Sequence, residues 1–261
     1  MNVLVAVTEA AVPDDEFEIN GTEIDEQYLT YELNEWDEYA LEEAAGLAEA
    51  HDNVEITTVT VGPERAEETI RKGLAKGADR AVRVWDDELA AVDLLAPATK
   101  ARLLAGVAAQ EEPELILAGA QSSDDSFGAT GVALAAQLGY EWAAVINQLE
   151  LDNDRGVATV HRELEGGVEE LTEVELPAVA TIQTGINEPR YASLRGIRQA
   201  QRKPLDVHTP ADLGVESVAS PLSLSELVEP ESESNVSLFE GGAERTAGEL
   251  AGVLREKGVE A

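Results

Sequence analysis

The residues best placed to do chemistry lie in the loop GAQSSDDSFGATG, positions 119–131. It follows a short apolar run, Leu115–Ala118, and ends in Gly128-Ala129-Thr130-Gly131, where apolar spacing marks the start of a helix. Small residues there leave backbone N–H groups unobstructed, the Thr130 hydroxyl adds a donor, and the helix dipole favours an anion. The turn could therefore hold a phosphate. An ordinary glycine-rich turn with Ser or Asp as helix cap fits the same letters. No Lys or Arg lies in the loop, so a phosphate would depend on backbone amides. The carboxylates of Asp124 and Asp125 could bind Mg²⁺ or transfer protons, but adjacent acids are commonplace in a chain with 53 Asp and Glu among 261 residues.

A second candidate is basic. From Pro189 to Leu205, PRYASLRGIRQAQRKPL carries Arg190, Arg195, Arg198, Arg202 and Lys203 and no acid, where a window of that length would on average hold about three. Leu194 sits in its middle. A basic segment with an apolar tip reads as a contact surface for another protein or an anion, and also as a helix with a solvated basic face. Arg162-Glu163, just before Gly166-Gly167, reads as an exposed cross-strand ion pair of little energetic weight or as an interface position.

Composition excludes several classes. There is no cysteine, hence no disulfide, thiolate metal site or cysteine nucleophile. The three histidines, His51, His161 and His208, are far apart in sequence, which disfavours a His-based metal site or a Ser-His-Asp triad. There is no Gly-Lys-Ser/Thr and no GxGxxG after the first strand, so neither a P-loop nor a classical dinucleotide site is expected. The formal net charge is −35, with acids spread along the chain. Acid-rich, lysine-poor composition suits a halophile-like surface in multimolar salt, where self-repulsion is screened. The N-terminus lacks the basic and long apolar parts of a signal peptide, and no run approaches 18 apolar residues. A soluble, cytoplasmic protein is expected, with neither nucleic-acid binding nor direct membrane insertion.

The elements that must position these residues follow from the periodicity. Val3–Val7 is a wholly apolar run, as for a strand buried on both faces. Glu16–Tyr31 holds Asn20-Gly21, a hairpin signal. Trp36, Ala40, Ala44 and Leu47 recur at helical spacing after Asn34. Strands are predicted at Val54–Val61, Arg80–Trp85 and Leu115–Ala118, and helices at Ala66–Lys76, Ala98–Gln110 and Thr130–Leu138. Strands alternating with helices imply a nucleotide-binding-like parallel sheet with crossover helices, an α/β fold. After Gly139 the alternation is expected to stop. Val157–Leu164 and Val168–Val174 form an added β-hairpin, Leu176–Ile182 another strand, and the basic segment a helix from about Tyr191. Residues 1–205 form the α/β domain, with 184–203 holding the candidate contact surface. Residues 206–261 form an extended C-terminal arm and a helix over Glu244–Lys257 that must dock somewhere, because 14 residues are marginal alone.

Several stretches resemble one family, the beta (small) subunit of electron transfer flavoproteins. VHRELEGG, Val160–Gly167, is similar to its V-x-R-E-x-D-G-G, with Glu165 in place of Asp. LPAVATIQTGINEPRYASL resembles its LPAV and NEPRY-x-(T/S)-L. NEWDEYALEEA and TIRKGLAKGADRAVRV match its first helix and its second helix with third strand. The likeness covers nearly the whole chain.

The resemblance implies an electron carrier rather than an enzyme, in a heterodimer whose alpha subunit holds most of the FAD. The beta subunit closes over the flavin and buries AMP. Carried over by motif, the AMP-lining positions are Ala6, Asn34, Val61, Gln121, Asp124 and the turn Gly128, Ala129, Thr130 and Gly131. The family often has Asn-Gln-Thr-Gly there, so two side chains are missing and backbone contacts must carry more. Trp36 stands where the family has an aromatic near the flavin, whereas its tyrosine after the first strand aligns near Ala11–Pro13. The loop ending in YxxL is the family's recognition loop. Leu194 matches its anchoring leucine, with Arg195 and Arg198 beside it, and Arg162 and Glu163 fall at the subunit interface. The implied partners are the alpha subunit, an acyl-CoA dehydrogenase-like donor and a membrane quinone oxidoreductase, as in fatty acid oxidation. Two alternatives stay open: a bifurcating beta subunit with its own FAD, and an adenine-nucleotide-binding sensor module.

Overall fold

The structure, a computed structural model, describes residues 1–229 and 236–258. Its frame is a seven-stranded sheet: β1 (Asn2–Ala6), β2 (Glu55–Val61), β3 (Arg80–Val84), β4 (Leu115–Gly119), β5 (Glu141–Ile146), β6 (Ala178–Ile182) and β7 (Leu205–His208). The spatial order is β7-β3-β2-β1-β4-β6-β5, and all six pairings are parallel. The expected α/β architecture is therefore present.

The uninterrupted apolar runs have a simple cause. Val3, Val5, Leu115 and Leu117 pack on one face against α1 (Glu35–Ala50) and α2 (Glu67–Lys76) through Leu41, Ala44, Ile70 and Leu74. Leu4 and Ile116 point the other way, onto α3 (Pro97–Glu111) and α4 (Thr130–Leu138) through Leu103, Val107 and Leu134. Both faces are covered, so successive residues must all be apolar. Each such side chain removed from water contributes about 1.5–3 kcal/mol.

The Asn20-Gly21 hairpin forms, with Ile19–Asn20 against Glu23–Ile24, inside a wider antiparallel pair, Glu9–Pro13 with Leu29–Leu33. The alternation does not stop at Gly139. It runs one strand further, into β5, parallel to β6. Trp142–Ile146 is an apolar run, but so short a run does not by itself tell a strand from a buried helical turn. The added hairpin also gains a third strand: Gln148–Asp152 pairs with Val157–Leu164, which pairs with Val168–Glu175.

The basic segment is helical only over α5 (Leu194–Ala200), because the Ser193 hydroxyl caps it by accepting the Gly196 N–H at 3.0 Å. Nor does the chain leave the sheet at residue 206. Residues 205–208 form β7 on β3, and the first compact unit runs Met1–Leu227. The polar composition conceals β7 because an edge strand needs backbone pairing on one side only. The second unit is Val228–Ala261. Its helix, α6 (Ala243–Glu256), is amphipathic yet has no buried residue, and Leu250 and Leu254 are exposed. Positions 230–235 and 259–261 of the expected arm and helix region lie outside the described residues.

Candidate functional site

The strand order reverses between β1 and β4. At such a switch point the connections leave in opposite directions, and a crevice opens beyond the carboxyl ends of the strands. A cavity of about 360 Å³ lies there, within the size range of small-ligand sites. Ala6 and Val61 line it from the ends of β1 and β2, and Asn34 from the start of α1. Gln121, Asp124 and the turn Gly128–Gly131 close the β4 side. The positions named by motif for AMP thus meet in one cavity. Trp36 does not line it.

Two residues shape this crevice. The buried Asp37 carboxylate accepts the Thr8 N–H at 2.8 Å and the Gly119 N–H at 2.9 Å, tying the segments after β1 and β4 to the first turn of α1. Burial raises its pKa from the ordinary 3.8 to about 6, even though the hydrogen bonds from the Asn34 side chain and from the Thr8 and Gly119 N–H groups pull it down. Asn34, also buried, donates from Nδ2 to the Gln121 carbonyl at 2.9 Å and accepts the Ser123 N–H at 3.2 Å. These bonds hold the loop 119–131 against α1.

The Gly128–Gly131 turn opens α4, whose N-terminus carries no side-chain cap. Its first amides have no helical partner, and residues 128–131 line the cavity. Gly131 has a packing role as well: a Cβ there would lie 2.4 Å from Thr181 Cγ2. On the opposite wall Val59, Val61, Leu104, Val92 and Trp85 supply apolar surface. The arrangement offers an apolar wall for a base and backbone N–H groups for a phosphate.

Sequence reasoning missed the cations. Lys100, from α3, lines the cavity and pairs with Asp125. Arg65, from the turn before α2, lies 3.0 Å from Glu9 and 3.9 Å from the centre of the Tyr31 ring. The one available signal was that Lys100 is among only five lysines. Asp124 accepts the Ser122 hydroxyl and the Asp125 N–H. Among the described residues no group of three or more His, Asp or Glu could hold a metal.

The basic segment divides. Lys203 caps α2 by donating to the Leu74 and Ala78 carbonyls, and Arg71 donates to the Ala200 and Lys203 carbonyls at 2.9 Å. Arg195, Arg198 and Arg202 have no acidic partner among the described residues, and with Leu194 they line one open groove. Leu194 is 78% exposed. Arg162 pairs with Glu170 directly across the added sheet at 2.7 Å, and Glu163 accepts from Asn147 at 3.1 Å.

A fully parallel sheet with a cavity at its switch point defines a doubly wound α/β protein of the nucleotide-binding kind. The electron transfer flavoprotein domain matches residues 22–213. The chain is 46% identical over 218 residues to the electron transfer flavoprotein subunit beta of Methylophilus methylotrophus, covering 82% of this chain and 81% of that protein. It is 40% identical over 209 residues to the mitochondrial subunit beta of Arabidopsis thaliana (80% of each) and 38% over 202 residues to the electron transfer flavoprotein subunit beta of Homo sapiens (77% of each). The chain belongs to the electron transfer flavoprotein beta-subunit family.

Proposed function

We propose that the chain pairs with an alpha subunit that holds most of the FAD, and that the heterodimer carries electrons from an acyl-CoA dehydrogenase-like donor to a membrane quinone oxidoreductase. The exposed Leu194 carries this reading. Leu194 is 78% exposed at the head of a basic, acid-free helix, with Tyr191 before it and Ile197 one turn on also exposed, and a group of apolar side chains left in water, unlike a lone leucine, suits a contact with a partner. The exposed apolar stripe of α6 supports a second contact, with the alpha subunit. The bound FAD would supply the redox chemistry. This chain's part is to orient partners and hold AMP.

Leu194→Ala should leave folding, heterodimer and flavin content intact. Losing most of one leucine's burial should weaken donor docking roughly ten-fold or more. In multimolar salt, where the Debye length falls to about 3 Å, the effect should persist, while Arg195→Ala and Arg198→Ala should matter mainly at low salt. Turnover measured against donor concentration checks this, and an unchanged curve for Leu194→Ala sinks the docking role.

The cavity fits AMP in the chemistry of its lining: Val59, Val61 and Leu104 for the base, and the amides of Gly128–Gly131 with Thr130 for the phosphate. Heat denaturation of the purified complex should release about one AMP and one FAD per heterodimer, read by chromatography, and Thr130→Val should reduce AMP retention. Two FAD and no AMP would mark a bifurcating subunit instead. ATP bound by the chain alone would favour the sensor module.

A further inference from the structure

Arg190 is the one cation of the acid-free segment that points back into the protein and meets acids there. Its Nε lies 2.8 Å and its Nη2 2.8 Å from the two Glu42 carboxylate oxygens, and its Nη1 donates to Glu49 at 2.6 Å. Its backbone joins the same contact: the N–H donates to Glu42 at 2.9 Å, and the carbonyl accepts from Lys76 at 3.0 Å. Three residues earlier, Asn187 donates to the Tyr39 carbonyl at 3.1 Å and to Glu43 at 3.0 Å. All these partners but Lys76 are on α1. Burial would raise the Glu42 carboxyl, but the hydrogen bonds from Arg190 outweigh it and hold it below its ordinary value.

Beyond this attachment the chain turns outward. Tyr191 is 98% exposed, and Leu194 begins α5 three residues later. The other side is also fixed: a Cβ at Gly196 would lie 2.6 Å from the Ala75 carbonyl, so α5 sits directly on α2. The exposed tip is thus strung between two attachments, and the α1 attachment is a forked, multidentate one that lysine cannot reproduce.

We propose that Arg190 is a positioning residue for docking: it clamps 187–190 to α1 so that Tyr191–Leu194 stands out in one conformation before the donor arrives. This rests on the reading of Leu194 as the docking anchor. A loop ordered in advance loses less conformational freedom on binding. Arg190 itself need not touch the donor.

The test uses the FAD-loaded heterodimer and a substrate-reduced acyl-CoA dehydrogenase, with Arg190→Ala, Arg190→Lys, Leu194→Ala and the Arg190→Ala/Leu194→Ala double variant. Arg190→Ala should raise the half-saturating heterodimer concentration about ten-fold, with maximal rate and flavin content unchanged. The amides of residues 190, 196 and 197, which are hydrogen-bonded on either side of the tip, should exchange hydrogen faster without donor present. Arg190→Lys should fall between, and the double variant should dock no worse than the poorer single one, because both changes act through one leucine. Multiplied defects, or unchanged exchange in Arg190→Ala, would overturn the clamp. A defective Leu194→Ala beside a normal Arg190→Ala overturns the clamp alone, whereas a normal Leu194→Ala overturns the docking reading beneath it. Should Arg190→Ala fail to fold, Arg190→Lys and Glu49→Gln, at the exposed end of the network, carry the test. Normal docking by both would sink the clamp.

Discussion

Gly119→Ala should destabilise the protein by about 3 kcal/mol or more and abolish the nucleotide retention proposed above, the largest effect expected of a single methyl group in this chain. A Cβ at this position would lie 2.5 Å from Trp36 Cβ, 2.6 Å from Asp37 Oδ1 and 2.8 Å from the Trp36 carbonyl carbon. One of these atoms is helix backbone, so the clash cannot be relieved by a side-chain rotation. α1 must move off the carboxyl end of β4, and Asp37 must release the Gly119 N–H. Both open the switch-point cavity. Gly131→Ala makes a useful comparison. Its clash, 2.4 Å from Thr181 Cγ2, involves a side chain, although rotation of Thr181 would sacrifice the 2.8 Å bond that its hydroxyl accepts from the Val145 N–H. It should cost less than Gly119→Ala. Chemical denaturation with release of bound nucleotide measures both, and an unchanged midpoint for Gly119→Ala would mean that α1 and β4 do not meet this closely.

Asp37→Asn should produce a stability difference that depends on pH. The carboxylate accepts one N–H on each oxygen. Even when protonated, the carboxyl keeps a lone pair on each oxygen for these N–H groups, whereas asparagine keeps one acceptor and turns an NH₂ toward the other N–H, a loss of about 1–3 kcal/mol. Against this stands the cost of holding a buried charge. Burial raises the folded-state pKa from 3.8 to about 6. A raised acid pKa means that the folded state holds its proton more tightly than the unfolded state. The contribution of Asp37 to stability is therefore full below about pH 4 and is lost as pH rises to about 6, by an amount of order 3 kcal/mol. The variant lacks this loss. It should be clearly less stable than the parent near pH 4, and the gap should close as pH passes 6. The difference between the two proteins cancels the titration of the remaining acids. A gap that stays constant from pH 4 to 7 would mean that Asp37 does not titrate in that window.

Much of the frame was legible because it rests on neighbours in sequence. Val3–Val7 and Leu115–Ala118 announce strands covered on both faces, Asn20-Gly21 a hairpin, and Gly128–Gly131 the start of a helix. The family motifs reach further still, naming Ala6, Asn34, Val61, Gln121 and Asp124 from positions more than 100 residues apart, and these do line one cavity.

Other features depend on pairings that no local pattern encodes. β5 was obscured because a short apolar run does not by itself tell strand from helix, and β7 because an edge strand buries little and needs one paired side only. Asp37 is one of three acids in the first turn of α1, and only the arrival of Thr8 and Gly119 separates it from Glu35 and Glu38. Lys100 gains meaning only when α3 brings it beside Asp125. The five cations of residues 189–205 look alike in sequence. In three dimensions Arg190 and Lys203 fasten the segment inward, to α1 and α2, while Arg195, Arg198 and Arg202 face outward. Composition and periodicity determined the class of fold, and the resemblance of its motifs pointed to the family. Packing alone decided which charges are buried and which face solvent, because a charge takes its role from what lies within a few ångströms of it, wherever that lies in the chain.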